Sequence, residues 1–264
     1  MPAGYTHYIF GEKVLEKLSP KYKNIILNNI DLYHIGLDGP DILFYYDALK
    51  SNDVIKTGQR MHREEAYKFF SNAKEVYKQA KNKDAALAYI YGFINHFVLD
   101  YVCHGYIIHM ETKHNMSHYE IESELDRKCL VLNGLNPTKT CLVSHINPTK
   151  YVSEVIAPFF NFDTKTIHKG LKDLVFYLEL LRAHSKIKRF IIHSIMKYAG
   201  VYEKLSPLMI SYEPNPKSAN DIDVLINILN ENVSLSIKLI EVFLDEDLDD
   251  IYHNDFLGVK FEEQ

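Results

Sequence analysis

Tryptophan is absent from the 264 residues, and cysteine is nearly so, with Cys103, Cys129 and Cys141 the three present. Irregular spacing and the lack of any CxxC pair exclude a disulfide framework and leave reduced thiols as the plain reading. A basic surplus is missing as well. With 30 Lys and Arg against 35 Asp and Glu, the formal charge is −5, which argues against a broad phosphate-binding surface, so duplex nucleic acid is not expected as a partner. Strand-like alternation is scarce throughout, and the fold class expected is therefore all-α. The opening MPAGYTHYIFGEKV has no basic segment leading into an apolar run and a small-residue cleavage site, and a cytoplasmic location is the expectation.

What is present is a chain that is 47% hydrophobic, ample for one core, and that carries 13 histidines. A single domain over residues 1–264 is expected, built as a multi-helix bundle. The organising stretch is Tyr89 to Ile108, where His96, Asp100 and His104 recur every fourth residue. At roughly 100° per residue such positions stack along one side of a helix. Phe93, Ile94, Phe97, Val98, Leu99 and Val102 wrap this helix in apolar surface, where polar groups need partners. A lone His on such a helix is ordinarily a hydrogen-bonded core residue. The second competing reading is a transmembrane span, which three ionisable groups on one stripe make expensive. A shared metal ion is the more economical partner, and no transmembrane helix is expected.

Along the chain, Glu12 to Leu18 reads as a helix, with His7 at or before its start, and Ser19-Pro20 restarts a helix through Ile30. Gly36, Gly39 and Pro40 force a loop over 32–46, and Asp41 suits either a capping carboxylate or a ligand on a rigid turn, with His34 and Asp38 as nearby alternatives. One long amphipathic helix is expected from Lys56 to Ala80, with His62 near its start. Residues 109–115 read as a break before a helix from Ser117 to Leu132, which sets His118 and Glu122 on one side. Further helices are expected over 149–158, 163–182, 185–198 and 221–244, followed by an acidic, loosely held tail over 245–264. No basic amphipathic helix with a membrane-surface signature stands out.

Taken in order, His7, the GPD turn ending in Asp41, His62, the HFVLD stripe with His104, and the HYEIE pair resemble the zinc-dependent phospholipase C family, whose all-α fold is related to the S1/P1 nucleases. Each motif is short, and their order makes the set specific. The resemblance implies that Asp41, His62, His96 and Asp100 hold one zinc ion and that His104, His118 and Glu122 hold a second. Asp100 then bridges to a third, bound by His7 and, in the secreted enzymes, by an N-terminal tryptophan. No tryptophan exists here, so two to three ions are expected, with Met1 or Pro2 able to offer a terminal amine. Secreted relatives place five residues between the bridging Asp and the next His, against three here, which makes His109 the fallback for His104. Ile42 and Gln59 stand where the choline-selective enzymes carry aromatic residues, so the cationic cage is not implied.

The activity implied is hydrolysis of a phosphodiester, with a phospholipid among the substrates and peripheral membrane contact as a corollary. Zinc-activated water is the implied nucleophile and Asp41 the candidate catalytic base. Two alternatives belong to other classes. A single-strand nuclease or nucleotidase requires a base-stacking aromatic near the metals, for which Tyr45, Tyr46 and Tyr106 are candidates. A non-catalytic metal scaffold requires a closed coordination shell. Cys103 lies about 100° around the helix from His104 and is discounted as a ligand.

Overall fold

A 32-residue helix, α6 (Lys83–His114), forms the axis of the molecule. The computed structural model of the chain describes residues 4–245 and 247–256. Asn82 caps the start of α6, its side chain accepting from Ala85 N at 3.1 Å, and Lys113 and His114 occupy the last turn before left-handed Asn115. The Lys113 cation at that end suits the helix dipole. The break expected at 109–115 therefore falls only at Asn115, because HMETKH holds no Gly or Pro and Met110 is buried in the core. Among the described residues α6 is the one helix long and apolar enough to cross a membrane, yet most of it is enclosed by protein.

Around this axis run α1 (Gly4–Lys17), α2 (Pro20–Leu27), α3 (Ile30–Gly36), a 3₁₀ turn (Gly39–Tyr45), α4 (Asp53–Met61) and α5 (Ala66–Gln79). After α6 come α7 (His118–Leu132), α8 (Lys150–Phe160), α9 (Thr164–Leu181), α10 (Lys186–Tyr198), α11 (Tyr202–Leu205), α12 (Ala219–Glu231) and α13 (Val233–Val242). No strand occurs among the described residues, and the architecture is an all-α, single-domain bundle. Thr149, Asp163 and Ser185 cap α8, α9 and α10 through their side chains, as the sequence leads one to expect.

Five expectations need correction. The loop expected over 32–46 is mostly helical, with α3 running to Gly36 and the 3₁₀ turn following from Gly39. Helix α1 begins at Gly4, so His7 sits inside its first turns. The buried Asp126 carboxylate, 120 residues away, satisfies that helix start by accepting from Thr6 N and Thr6 Oγ1 at 2.8 and 2.7 Å. The segment expected as one helix from Lys56 to Ala80 divides into α4 and α5 at His62, and the 221–244 segment divides at Asn232. Neither break contains Gly or Pro, so no local signal announced them. Finally, the described part of the expected loose tail is core: Tyr252 and Phe256 are buried, and Asn254 O accepts from Ala66 N at 2.9 Å. The remaining tail positions, 246 and 257–264, lie outside the described residues.

Helix α3 crosses α6 at backbone contact. A Cβ on Gly92 would lie 2.2 Å from Tyr33 O, and one on Gly36 would lie 2.4 Å from Tyr89 O. Glycine at both positions is what lets the two helices meet. A buried relay crosses at the same level, Asn95 Nδ2 donating to Tyr33 Oη at 2.8 Å and Tyr33 Oη to Gly11 O at 2.7 Å. Gly92→Ala forces the helices apart and is expected to cost about 3 kcal/mol. Thermal unfolding measures this, and an unchanged transition temperature would contradict the close-crossing account.

Candidate metal centre

Four helices and the 3₁₀ turn carry the titratable side chains that meet beside the middle of α6. His96, Asp100 and His104 come from α6, His7 from α1, Asp41 from the 3₁₀ turn, His62 from the residue closing α4, and His118 and Glu122 from the first turns of α7. Local sequence fixes each approach. The α7 start is held by a reciprocal cap in which Glu120 Oε2 accepts from Ser117 N at 2.7 Å and Ser117 Oγ accepts from Glu120 N at 3.4 Å. The GPD turn needs its glycine: Gly39 has φ +50°, and a Cβ there would lie 2.3 Å from the His96 ring.

The side chains form two adjoining groups. Asp41, His62 and His96 offer ligand atoms that all lie within 4.8 Å of one another, and so do His104, His118 and Glu122. Asp100 sits between them. Its Oδ2 lies 3.3 Å from His96 Nε2 and 3.9 Å from His62 Nε2, and its Oδ1 lies 3.3 Å from His7 Nε2 and 3.8 Å from His104 Nδ1. Asp41 Oδ1 is 3.0 Å from His62 Nε2, and His118 Nε2 is 3.3 Å from Glu122 Oε1. His104 thus keeps company with His118 and Glu122, whereas the fallback His109 packs its ring near Tyr106. The terminal amine proposed for a third position belongs to Met1 or Pro2, outside the described residues.

Backbone carbonyls orient the rings. The Nδ1 atoms of His62, His96 and His104 lie 2.8, 3.0 and 3.0 Å from Gly58 O, Leu37 O and Asp100 O. Donation from Nδ1 leaves each Nε2 as the lone-pair atom, the arrangement that suits a metal-binding imidazole. His62 Nε2, His96 Nε2, Asp100 Oδ2 and Glu122 Oε2 are buried without a hydrogen-bond partner. Orphaned buried groups are costly, and imidazole nitrogens facing carboxylate oxygens form the donor set that zinc takes. These residues fit such an ion.

Charge at the centre follows from that crowding. Burial opposes ionisation of Asp100, but His96, His104 and His7 around it hold its carboxyl well below the usual range. Burial likewise opposes protonation of His96, and Asp100 overrides it to push the imidazole up to about 9. His118 is also pushed up to about 9, Glu122 outweighing burial. His7 moves down through burial and the His96 ring stacked on it at 4.3 Å. His118 alone among the eight is half-buried, and it marks the side on which the centre meets solvent.

Two aromatic residues at the centre carried no signal in the sequence. Phe256, from the tail, packs its ring 5.3 Å from His62 and 5.9 Å from His96, and Phe44 stacks on His62 at 5.3 Å. Asp38 is buried with Oδ2 unpartnered, and burial together with Asp41 raises it to about 7. Of the three candidate stacking tyrosines, Tyr106 is hydrogen-bonded to Asp221 at 2.5 Å and Tyr46 lies under Lys169. Tyr45 is the one whose hydroxyl is burdened, after burial, by Asp41 and Asp38. Burial and Asp100 push the Cys103 thiol up, keeping it neutral. Ile42 is buried and Gln59 exposed, so neither builds a cation cage. Because Asp126 holds the turn that carries His7, Asp126→Ala is expected to lower stability by about 2 kcal/mol. Thermal denaturation beside Thr6→Val, which removes the hydroxyl's contacts to Asp126 and Cys129 but keeps the backbone N–H bond to the carboxylate, measures the difference; equal effects would contradict the role given to the carboxylate.

Among known proteins, the family described as zinc dependent phospholipase C matches residues 6–177. That span holds all eight converging side chains and runs from α1 into α9. No curated protein and no solved structure matches the chain. With most of its length matched, and with buried imidazoles and carboxylates meeting as zinc requires, the chain belongs to the zinc dependent phospholipase C family.

Proposed function

We propose that the chain hydrolyses the glycerol-side phosphodiester of a phospholipid, with zinc held by Asp41, His62, His96 and Asp100 and again by His104, His118 and Glu122. The family supports a phospholipase C-like zinc hydrolase in general terms. One observation carries the residue assignment: the Asp100 carboxylate lies within 4 Å of ring nitrogens from four histidines. His7, stacked on His96, is the side chain available to a third ion.

Bound zinc lowers the pKa of water to about 7 and polarises a phosphoryl oxygen. Asp41, kept ionised by His62 and His96 against its burial, has a carboxylate able to take the proton from the attacking water. Carbonyl contacts at Gly58 and Leu37 keep His62 and His96 from rotating away. Phe44 and Phe256 exclude solvent from the His62 side, which strengthens every charge interaction within. The half-buried His118 leaves an approach open for substrate, unlike the closed shell of a structural site.

Zinc-loaded protein is expected to release diacylglycerol from phospholipid, and His96→Ala is expected to lower that rate at least about a hundredfold. Release of mononucleotides from single-stranded nucleic acid instead would move the reading to the S1/P1 nuclease chemistry. Without an aromatic cage, choline and ethanolamine lipids are expected to react at rates within about threefold of each other; a strong choline preference would overturn that part. His96 and His118, each raised to about 9, must lose their protons to bind zinc, so affinity is expected to rise with pH, and binding at neutral pH to release about two protons. Calorimetry in buffers of different ionisation enthalpy reads this number, and pH-independent binding would sink the assignment.

A further inference from the structure

Helix α10 presents to solvent an apolar face that no other described residue covers. Ile187, Phe190, Ile191 and Ile195 are each exposed over more than half their surface, and Tyr198 is 97% exposed. Positions 187, 190, 191, 195 and 198 are spaced as one stripe of a helix. The one polar side chain set among them, Ser194, satisfies itself by donating to Phe190 O at 2.8 Å. Scattered exposed apolar residues need no explanation, but a contiguous helical face of five large ones marks an interaction surface. The opposite face explains why the helix stays in place: Ile192 and Met196 are buried with Ala183 and Met209, and Arg189 donates to Ile210 O at 2.6 Å while lying over the Tyr212 ring.

Charge identifies the partner. In a chain of net −5, the segment KIKRFIIHSIMKY carries Lys186, Lys188, Arg189 and Lys197 and no acidic residue. Lys186 and Lys197 are exposed at its two ends. A helix with large apolar residues on one face and cations flanking them lies in the boundary layer of a bilayer, its apolar side in the acyl region and its cations at anionic headgroups. The helix also shares a cleft with α7, where Arg189 and His193 stand with Glu120 and Glu124, and α7 is the helix that carries His118 and Glu122.

We infer that the exposed face of α10 docks the protein on a phospholipid bilayer bearing anionic headgroups. The inference rests on the phospholipase reading for its biological sense, and its physical basis is the face itself. A self-complementary contact with a second copy brings Lys186 and Lys197 toward their own counterparts without an acid in the segment to meet them, whereas an anionic bilayer neutralises them.

The absence of tryptophan supplies the probe. Tyr198→Trp gives a single emitter at the tip of the stripe, and its emission is expected to shift blue on adding vesicles of phosphatidylcholine and phosphatidylglycerol. Sedimentation with the same vesicles is expected to weaken on the order of tenfold for each of Ile187→Ser and Phe190→Ser, the loss corresponding to one partly buried apolar side chain. Lys186→Glu with Lys197→Glu is expected to weaken binding to phosphatidylglycerol vesicles and to leave the already weak binding to pure phosphatidylcholine unchanged. All these positions are exposed, so folding is preserved, which circular dichroism verifies. Hydrolysis of a soluble short-chain phosphodiester is expected to be the same in Phe190→Ser and in the unaltered protein. A protein inactive on every phosphodiester but shifted by vesicles defeats the function proposed above and leaves the docking face standing. No blue shift, or sedimentation unaffected by the substitutions, overturns the docking face. So does a concentration-dependent dimer that Phe190→Ser dissolves, because a second copy then covers the stripe.

Discussion

One buried carboxylate surrounded by four imidazoles is the constraint on which the structure turns. Asp100 lies at the centre of α6 with His7, His62, His96 and His104 within 4 Å of its oxygens. Taken as an isolated ion in the protein interior it would be expensive, and the imidazoles offset that expense by facing it with ring nitrogens, of which those of His62 and His96 have no other partner. A shared cation resolves both halves of the problem, because it satisfies the carboxylate oxygens and the Nε2 lone pairs together. The site and the fold are thus coupled: without such an ion the buried polar groups repel or protonate, and with it they hold four segments against α6.

The bundle is arranged to deliver those segments at close range. Glycine contact between α3 and α6 brings the GPD turn down onto His96, and the left-handed Gly39 lets the turn continue into Asp41 without a Cβ striking the imidazole. From the other side, Asp126 on α7 reaches across to the first turn of α1 and fixes the helix that carries His7. The end of the described chain closes the centre, with Phe256 against His62 and His96. Distant pieces of sequence therefore share one task, which is to set rings and carboxylates at fixed distances in a dry interior.

Much of this was legible in the sequence, for identifiable reasons. Fourfold spacing of His96, Asp100 and His104 is a local geometric signal, and the caps at Ser117, Thr149, Asp163 and Ser185 are local chemical ones, so the helices they begin match expectation. What escaped depends on tertiary contact. The division at His62 lacks Gly and Pro, and the helical placement of His7 depends on Asp126 from another helix. Tyr252 and Phe256 sit in an acidic stretch whose composition suggests solvent, yet they are buried against Phe97, with Tyr252 also on Phe70. The face of α10 was hidden for the converse reason: a periodic apolar stripe reads as core until one sees that no described residue packs on it.

Anomalous diffraction collected at the zinc absorption edge, from crystals of the protein purified without chelator, tests the central claim most directly. The account predicts density peaks within zinc-ligand distance, about 2.0–2.2 Å, of His96 Nε2 and Asp100 and, separately, of His118 and Glu122. A structure at full resolution of these side chains with no anomalous peak between them, and with Asp100 instead hydrogen-bonded to protonated imidazoles alone, would contradict it.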